Sequence, residues 1–453
     1  MLSVLLASLL ASGSPLDDVS YFKQVRPILQ QHCTGCHQPA KAEGRVDLTS
    51  VAAIHAGGFQ GEAIVLPGDS EESPLVWEII PEDGDPPSMP KDRPPLTGDQ
   101  VAILRAWIDQ GAQDDTPETT PIDAAHPPVY RRPPVISDLD FSKDVLAISG
   151  YHETLLYDAS TFELKQRLVG LSERIESLAF SPDGERLAVA GGSPAQFGEI
   201  QIWNVADGEL LHSEIVTADC LFGVSWSPDG KLIAFGAADN VVRAIDSKNG
   251  REVLFQGAHN DWALDTTFSV DGSHLVSVSR DRSMKLIIVA TQQFVDNITS
   301  ITPGALKGGL LAVDRHPTED ELLTGGADGE PKIYRMFREK KRVIGDDFNR
   351  LKTFEKVEGR IFALEYSPGG DRIVVGSSAG ETGEVRVYDV ESTEVVWSAE
   401  LDSPLYTARF DATGERVAVA GFDGRVRIRS ARDGEAIHEW VVLPGADREG
   451  SEQ

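Results

Sequence analysis

Sulfur is scarce in this chain: three cysteines and four methionines stand among 453 residues. A structural zinc site needs four closed ligands and so has little thiolate to draw on. Basic residues are short as well. Against 72 Asp/Glu there are 42 Lys/Arg, a formal net charge of −30, which repels phosphate backbones and disfavours anionic membranes. Nucleic acid is therefore excluded as a partner. The acid is spread along the chain and speaks for solubility more than for one site. The apolar run Leu2–Ala11 (LSVLLASLLA) is too short to span a bilayer. It suits a signal-peptide core with Ser12-Gly13-Ser14-Pro15 at its exit, although no Lys or Arg precedes it. Residues 1–16 are expected to be a signal peptide, and the mature chain is expected to lack a transmembrane segment. At 41% apolar, the length supports more than one cored domain.

Two of the three cysteines fall together in Cys33-Thr34-Gly35-Cys36-His37. Thiols three residues apart followed at once by an imidazole meet the needs of covalent c-type haem attachment: two thioethers to the vinyl groups and an axial histidine. A zinc site would have to recruit His32 and His55. A thioredoxin-like redox pair would need a βαβ context, which is not visible here. Haem c attachment is extracytoplasmic in bacteria, a second reason to expect export.

The surrounding 95 or so residues read as helical. Phe22, Val25, Ile28 and Leu29 form a helical stripe leading to Cys33, with Pro27 near its start. Ser73-Pro74 opens a short amphipathic helix through Leu75, Val76 and Ile79 as N-cap and first helical residue. Thr97-Gly98-Asp99-Gln100 is a capping box, and Val101, Leu104, Trp107 and Ile108 follow it to Gly111. Among the methionines only Met89 belongs to this region once Met1 leaves with the leader; Met284 and Met336 lie in the later part. Proline-flanked in Pro86-Pro87-Ser88-Met89-Pro90, its thioether is presented on a stiff loop as the candidate second axial ligand. His55 is the competing one.

Phe22, Val25, Pro27-Ile28-Leu29, CTGCH, Gly44-Arg45-Val46-Asp47-Leu48, Ile64-Val65-Leu66-Pro67-Gly68, Ser73-Pro74-Leu75, Ser88-Met89-Pro90 and Leu96-Thr97 through Trp107-Ile108 to Gly111-Ala112 occur in that order. The series resembles the planctomycete-type cytochrome c domain over residues 17–112. The resemblance implies one haem c with Cys33 and Cys36 as thioethers, His37 proximal and Met89 distal. Gln38 and Lys91 depart from the family pattern, which often has Gly after the ligating His and a second Pro after Met-Pro. Residues 17–112 hold seven Lys/Arg and fifteen Asp/Glu. Glu71, Glu72, Glu78, Glu82, Asp83, Asp85 and Asp92 surround the Met89 loop; they are either a solvated face or a dock for a redox partner with a basic surface.

Residues 113–134, rich in Pro, Thr and charge, read as a linker. From Val135 a unit repeats. Its aromatic position recurs at Phe141, Phe180, Trp226, Phe268, Tyr366 and Phe410, with Arg315 in one copy, at intervals of 39 to 51 residues. Turns such as Ser181-Pro182-Asp183-Gly184 and Ser227-Pro228-Asp229-Gly230 follow it. A single four-stranded sheet cannot bury both faces and must stack on copies of itself. The pattern resembles the WD40 repeat and implies a seven-bladed propeller over 135–445, with 446–453 as a tail. Trp203-Asn204, Tyr388-Asp389 and Tyr157-Asp158 stand at the Trp-Asp position, and only Gly257-Ala258-His259 echoes the Gly-His element. The bracing Asp–His networks are expected to be mostly absent. Cys220 reads as a small buried apolar residue.

The fold expected is thus a small all-α cytochrome c domain followed by an all-β, seven-bladed WD40-like propeller. The expected function is single-electron transfer by an exported protein with one covalent haem c. The propeller would dock a partner on its loops. A haem enzyme with a displaceable distal ligand or a propeller-bound substrate is the rival. A scaffold protein with structural haem is a third reading. His152, His212, His259, His274, His316 and His438 occupy different places in their repeats and converge on no common site.

Overall fold

The computed structural model describes residues 19–34, 37, 46–58, 61–81, 85–91, 94–115, 127–300, 308–343 and 346–444. The expected signal peptide, the tail, Cys36 and the middle of the expected linker lie outside them. The chain divides into two compact units, Met1–Thr120 and Pro121–Gln453.

The first unit is helical among its described residues. A π-wound turn, Tyr21–Val25, passes directly into α1 (Arg26–His32) with Pro27 in its first turn, where a missing N–H costs no intrahelical bond. Then follow α2 (Val51–Ala56), α3 (Pro74–Ile79) and α4 (Gly98–Asp109). The expected capping box is present: Thr97 Oγ1 accepts from the Gln100 N–H, and Gln100 Oε1 accepts from the Thr97 N–H at 2.9 Å. Ser73 precedes Pro74 as expected, but its hydroxyl makes no cap bond. It is fully buried and is spent on the preceding loop, accepting from the Leu66 N–H and donating to the Asp69 carbonyl. The helices share one core of Val25, Leu29, Ile54, Val76, Leu104, Trp107 and Ile108.

The second unit is a repetitive antiparallel β region, with one seven-stranded sheet and five four-stranded sheets among its described residues. The first two repeats fall in one sheet because the strand Leu164–Phe180 serves both. Its first part pairs with Tyr151–Asp158 and its last part with Arg186–Ser193. Interiors such as Leu187–Ala190 and Ile373–Val375 are fully buried, as strands covered on both faces must be. The SPDG-type turns form as expected. Gly184, Gly230, Gly272, Gly370 and Gly414 all take φ between 67° and 75°, a region open to glycine at no steric cost. Asp183 shows the companion role, accepting from Ser181 Oγ and the Glu185 N–H.

The repeat containing Gly257-Ala258-His259 carries the one expected brace. His259 is buried between Ser277 Oγ (2.8 Å from Nε2) and Asp281 Oδ2 (3.2 Å from Nδ1). In other repeats the same hairpins are tied by an acid four residues ahead of a cation: Asp239–Arg243 at 2.6 Å, Asp328–Lys332 at 2.5 Å and Asp423–Arg427 at 2.5 Å.

Neighbouring repeats are joined at their inner strands in one direction. An oxygen on one strand accepts an N–H from the next: Asp138 from Leu178, Asp140 from Phe180, Ser177 from Val224, Asp265 from Val313, Asp314 from Tyr366 and Glu365 from Phe410. Ser225 meets Thr266 by a hydroxyl pair instead. The last repeat meets the first in the same sense: Thr407 Oγ1 accepts from the Leu139 N–H, and the Ile136 N–H donates to the Gly421 carbonyl.

Candidate functional site

α1 ends where Cys33 begins. The Leu29 carbonyl accepts both the Cys33 N–H (2.8 Å) and the Thr34 N–H (2.9 Å), so the helix closes and the chain turns. The His37 N–H then donates back to the Cys33 carbonyl at 3.1 Å, and the His37 carbonyl receives the Leu48 N–H at 2.9 Å. Cys33 and His37 are thereby held on one turn. Cys36 lies outside the described residues. Burial pushes the Cys33 thiol up to about 11, so it rests as the neutral thiol in an apolar setting, unlike a free metal-binding thiolate.

The Met89 loop comes to the same core from the other side of the sequence. The Met89 N–H donates to the Glu78 carbonyl at the end of α3 (2.9 Å), and Ser88 Oγ donates to that carbonyl at 3.1 Å. Cys33 and Met89 both pack, half-buried, against the core, as do Val46, Leu75, Ile80, Val101 and Ile103. Apolar residues left half-covered on the same core as a thiol and a thioether suit a large planar apolar group. Among the described residues the buried His37 Nδ1 has no hydrogen-bond partner. The residues present therefore fit a haem. Cys33 would carry a thioether, and His37 and Met89 would hold the iron.

The competing histidines are differently engaged. His55 Nε2 sits 3.0 Å from the Ala112 carbonyl, a bond that ties α2 to the end of the unit. His32 Nε2 is 3.2 Å from Gln100 Nε2 at the start of α4. Among the described residues no group of three or more His, Cys, Asp or Glu is arranged to hold a metal ion. The histidines of the second unit are separately engaged too, with His259 in its Ser–Asp brace and His438 stacked on Phe162 at 5.0 Å. Cys220 is buried, its thiol pushed up to about 12 by that burial.

One constellation escaped the sequence reading. Asp140, Asp265, Asp314, Arg315 and Arg409 line a cavity of about 400 Å³ in the second unit. Asp138 and Glu365 stand by the same guanidinium, with Arg409 nitrogens 3.6 Å from Asp138 Oδ1 and 3.9 Å from Glu365 Oε1. Burial raises Asp140 to about 6, Asp265 to about 7, and Asp314 and Glu365 also upward. The signal was available: the residue before each repeat's aromatic position runs Asp140, Ala179, Ser225, Thr267, Asp314, Glu365, Arg409. Charged residues at an inner-strand position mark a cavity that apolar packing does not fill.

Residues 33–93 match the family model for Planctomycete cytochrome C, and residues 211–246 and 250–287 match that for the WD domain, G-beta repeat. The chain is 22% identical over 307 residues to a periodic tryptophan protein 2 homolog of Caenorhabditis elegans, covering 57% of this chain and 32% of that protein. Over 251 residues it is 28% identical to eukaryotic translation initiation factor 3 subunit I of Kluyveromyces lactis, covering 47% of this chain and 67% of the relative. A WD repeat-containing protein 26 homolog of Arabidopsis thaliana is 23% identical over 181 residues, covering 40% of this chain and 30% of that protein. The chain thus spans about a third of the length of two of these relatives. With Cys33 and Met89 packed against one helical core, and His37 tied by its backbone to Cys33, ahead of a repetitive β region, the chain carries a cytochrome c domain of the planctomycete type followed by WD repeats.

Proposed function

We propose that this protein is an exported electron carrier with a single covalent haem c, bound through Cys33 and Cys36 and ligated by His37 and Met89. The observation that carries the reading is the packing of Cys33 and Met89 against one core, with His37 tied by its backbone to Cys33, within the segment that matches Planctomycete cytochrome C. Bound there, haem supplies a one-electron ferric/ferrous couple, and an iron with two protein axial ligands has no open position for substrate. The protein's own part is to hold His37 through the Cys33 and Leu48 backbone bonds and Met89 through the Glu78 carbonyl. Export follows from the leader-like residues 1–16 and from the extracytoplasmic chemistry of haem attachment.

For the second unit we propose closure into seven blades. The one-directional bonds between inner strands, including those from the last repeat to the first, support it. One relative is named as part of a larger initiation factor, which supports a docking role for this unit's loops. The test is the spectrum of protein made in a host that attaches haem c. Intact mass should rise by one haem, and reduced protein should fail to bind carbon monoxide promptly. Fast carbon monoxide binding would favour the haem-enzyme reading, and a preparation with no covalent haem would remove the electron-carrier reading altogether.

A further inference from the structure

Trp77 stands out on the first unit. It lies on α3, whose Val76 and Ile79 turn into the core, yet it is itself 51% exposed. Its indole N–H donates to the Glu71 carbonyl at 2.6 Å, which pins the ring to the loop ahead of the helix. That loop is fixed in turn by the Ser73 hydroxyl and by the Glu72 N–H donating to Asp69 Oδ1. Leu66 at its start is 37% exposed. A rigid, exposed indole loses little conformational entropy when it is covered. Asp69, Glu71, Glu72 and Glu78 are exposed around it. Glu78, next in the chain, is the residue whose carbonyl holds the Met89 N–H.

We propose that Trp77, rimmed by Asp69, Glu71, Glu72 and Glu78, is the docking surface for the Lys/Arg-rich face of a separate redox protein. This rests on the electron-carrier reading above. Charge chooses the occupant. The first unit's residues 17–112 hold seven of the chain's 42 Lys/Arg and fifteen of its 72 Asp/Glu, and the remainder keeps the same excess of acid. The acidic rim calls for a basic occupant, and the chain's excess of acid disfavours a second copy in that place. A Lys or Arg laid over the indole gains the cation–π attraction for which tryptophan is the best partner. The carboxylates around it steer encounter and set orientation. In the docked pair one electron passes between the partner's centre and the haem iron, one being oxidised as the other is reduced.

The experiment uses full-length holoprotein and, as probe, a small lysine-rich c-type cytochrome, with association followed by calorimetry across a salt series. Trp77→Ala should weaken association about fivefold with its salt slope kept. Glu71→Gln/Glu72→Gln should flatten the slope and slow association, because it removes the steering charge. Haem spectrum and melting temperature should be unchanged in both, so loss of docking is distinguished from misfolding. Loss of covalent haem in the parent would defeat the electron-carrier reading instead. With haem intact, unchanged association and slope in both variants would overturn the docking proposal. So would self-association abolished by Trp77→Ala, which assigns the face to a second copy, or faster linker proteolysis in that variant, which assigns it to the chain's own second unit.

Discussion

Replacing Arg409 with Met tests the charge arrangement of the β unit most directly. Arg409 is the guanidinium beside Asp138 and Glu365, and with Arg315 it faces Asp140, Asp265 and Asp314 across the cavity. Removing one partner from a buried charge set costs about 3–5 kcal/mol, since the remaining carboxylates are left uncompensated. The loss should depend on pH, and its sign follows from the shifts. Asp140 and Asp265, raised to about 6 and about 7 by burial, ionise earlier in the unfolded chain. Their contribution is complete below about pH 4 and is lost as pH rises through 6 to 7. A carboxyl moved from 3.8 to about 6 carries about 3 kcal/mol of this pH-linked stability, less where water enters the cavity. Without the guanidinium these carboxyls move further up. The variant should therefore lose about 2 kcal/mol more at pH 8 than at pH 5, with Arg409→Lys in between. Urea unfolding followed by far-ultraviolet circular dichroism at both pH values measures it, with haem absorbance reporting the first unit separately. Equal losses at the two pH values, or a larger loss at pH 5, would refute the reasoning.

Changing Cys33 and Cys36 together to Ala should release haem under denaturing conditions and destabilise the helical unit; a native melting profile would show that the haem is not part of its core. Met89→Ala should keep the haem covalently attached, abolish the weak long-wavelength sulfur-to-iron band and lower the reduction potential, since methionine ligation raises it. An unchanged band and potential would point to another distal ligand. His259→Ala should cost about 2–3 kcal/mol in urea unfolding, because Ser277 and Asp281 lose a buried partner; a cost below about 0.5 kcal/mol would make the brace idle.

The helical unit was readable because its signals are local. A capping box at Thr97 needs only Gln100 three residues on, and α4 formed from it. The attachment motif proposed for haem is equally local, with its thiols and histidine within five residues. Ser73 shows the limit: sequence identifies a hydroxyl before a proline, but burial sent that hydroxyl to Leu66 and Asp69. Repeats likewise declared themselves by spacing and by turns whose glycines need positive φ. That two of them would share the strand Leu164–Phe180 depended on how the segment between them bent. The sequence by itself determined the order of the two units, the period of the repeats and the Cys-x-x-Cys-His spacing, since each rests on spacing within a few turns of chain. Tertiary structure alone decided that Cys33 and Met89, 56 residues apart, share a core. It also brought carboxylates from several repeats around Arg409, more than 260 residues beyond Asp140. Contacts at such separations are set by packing of whole sheets and helices, which no local pattern encodes.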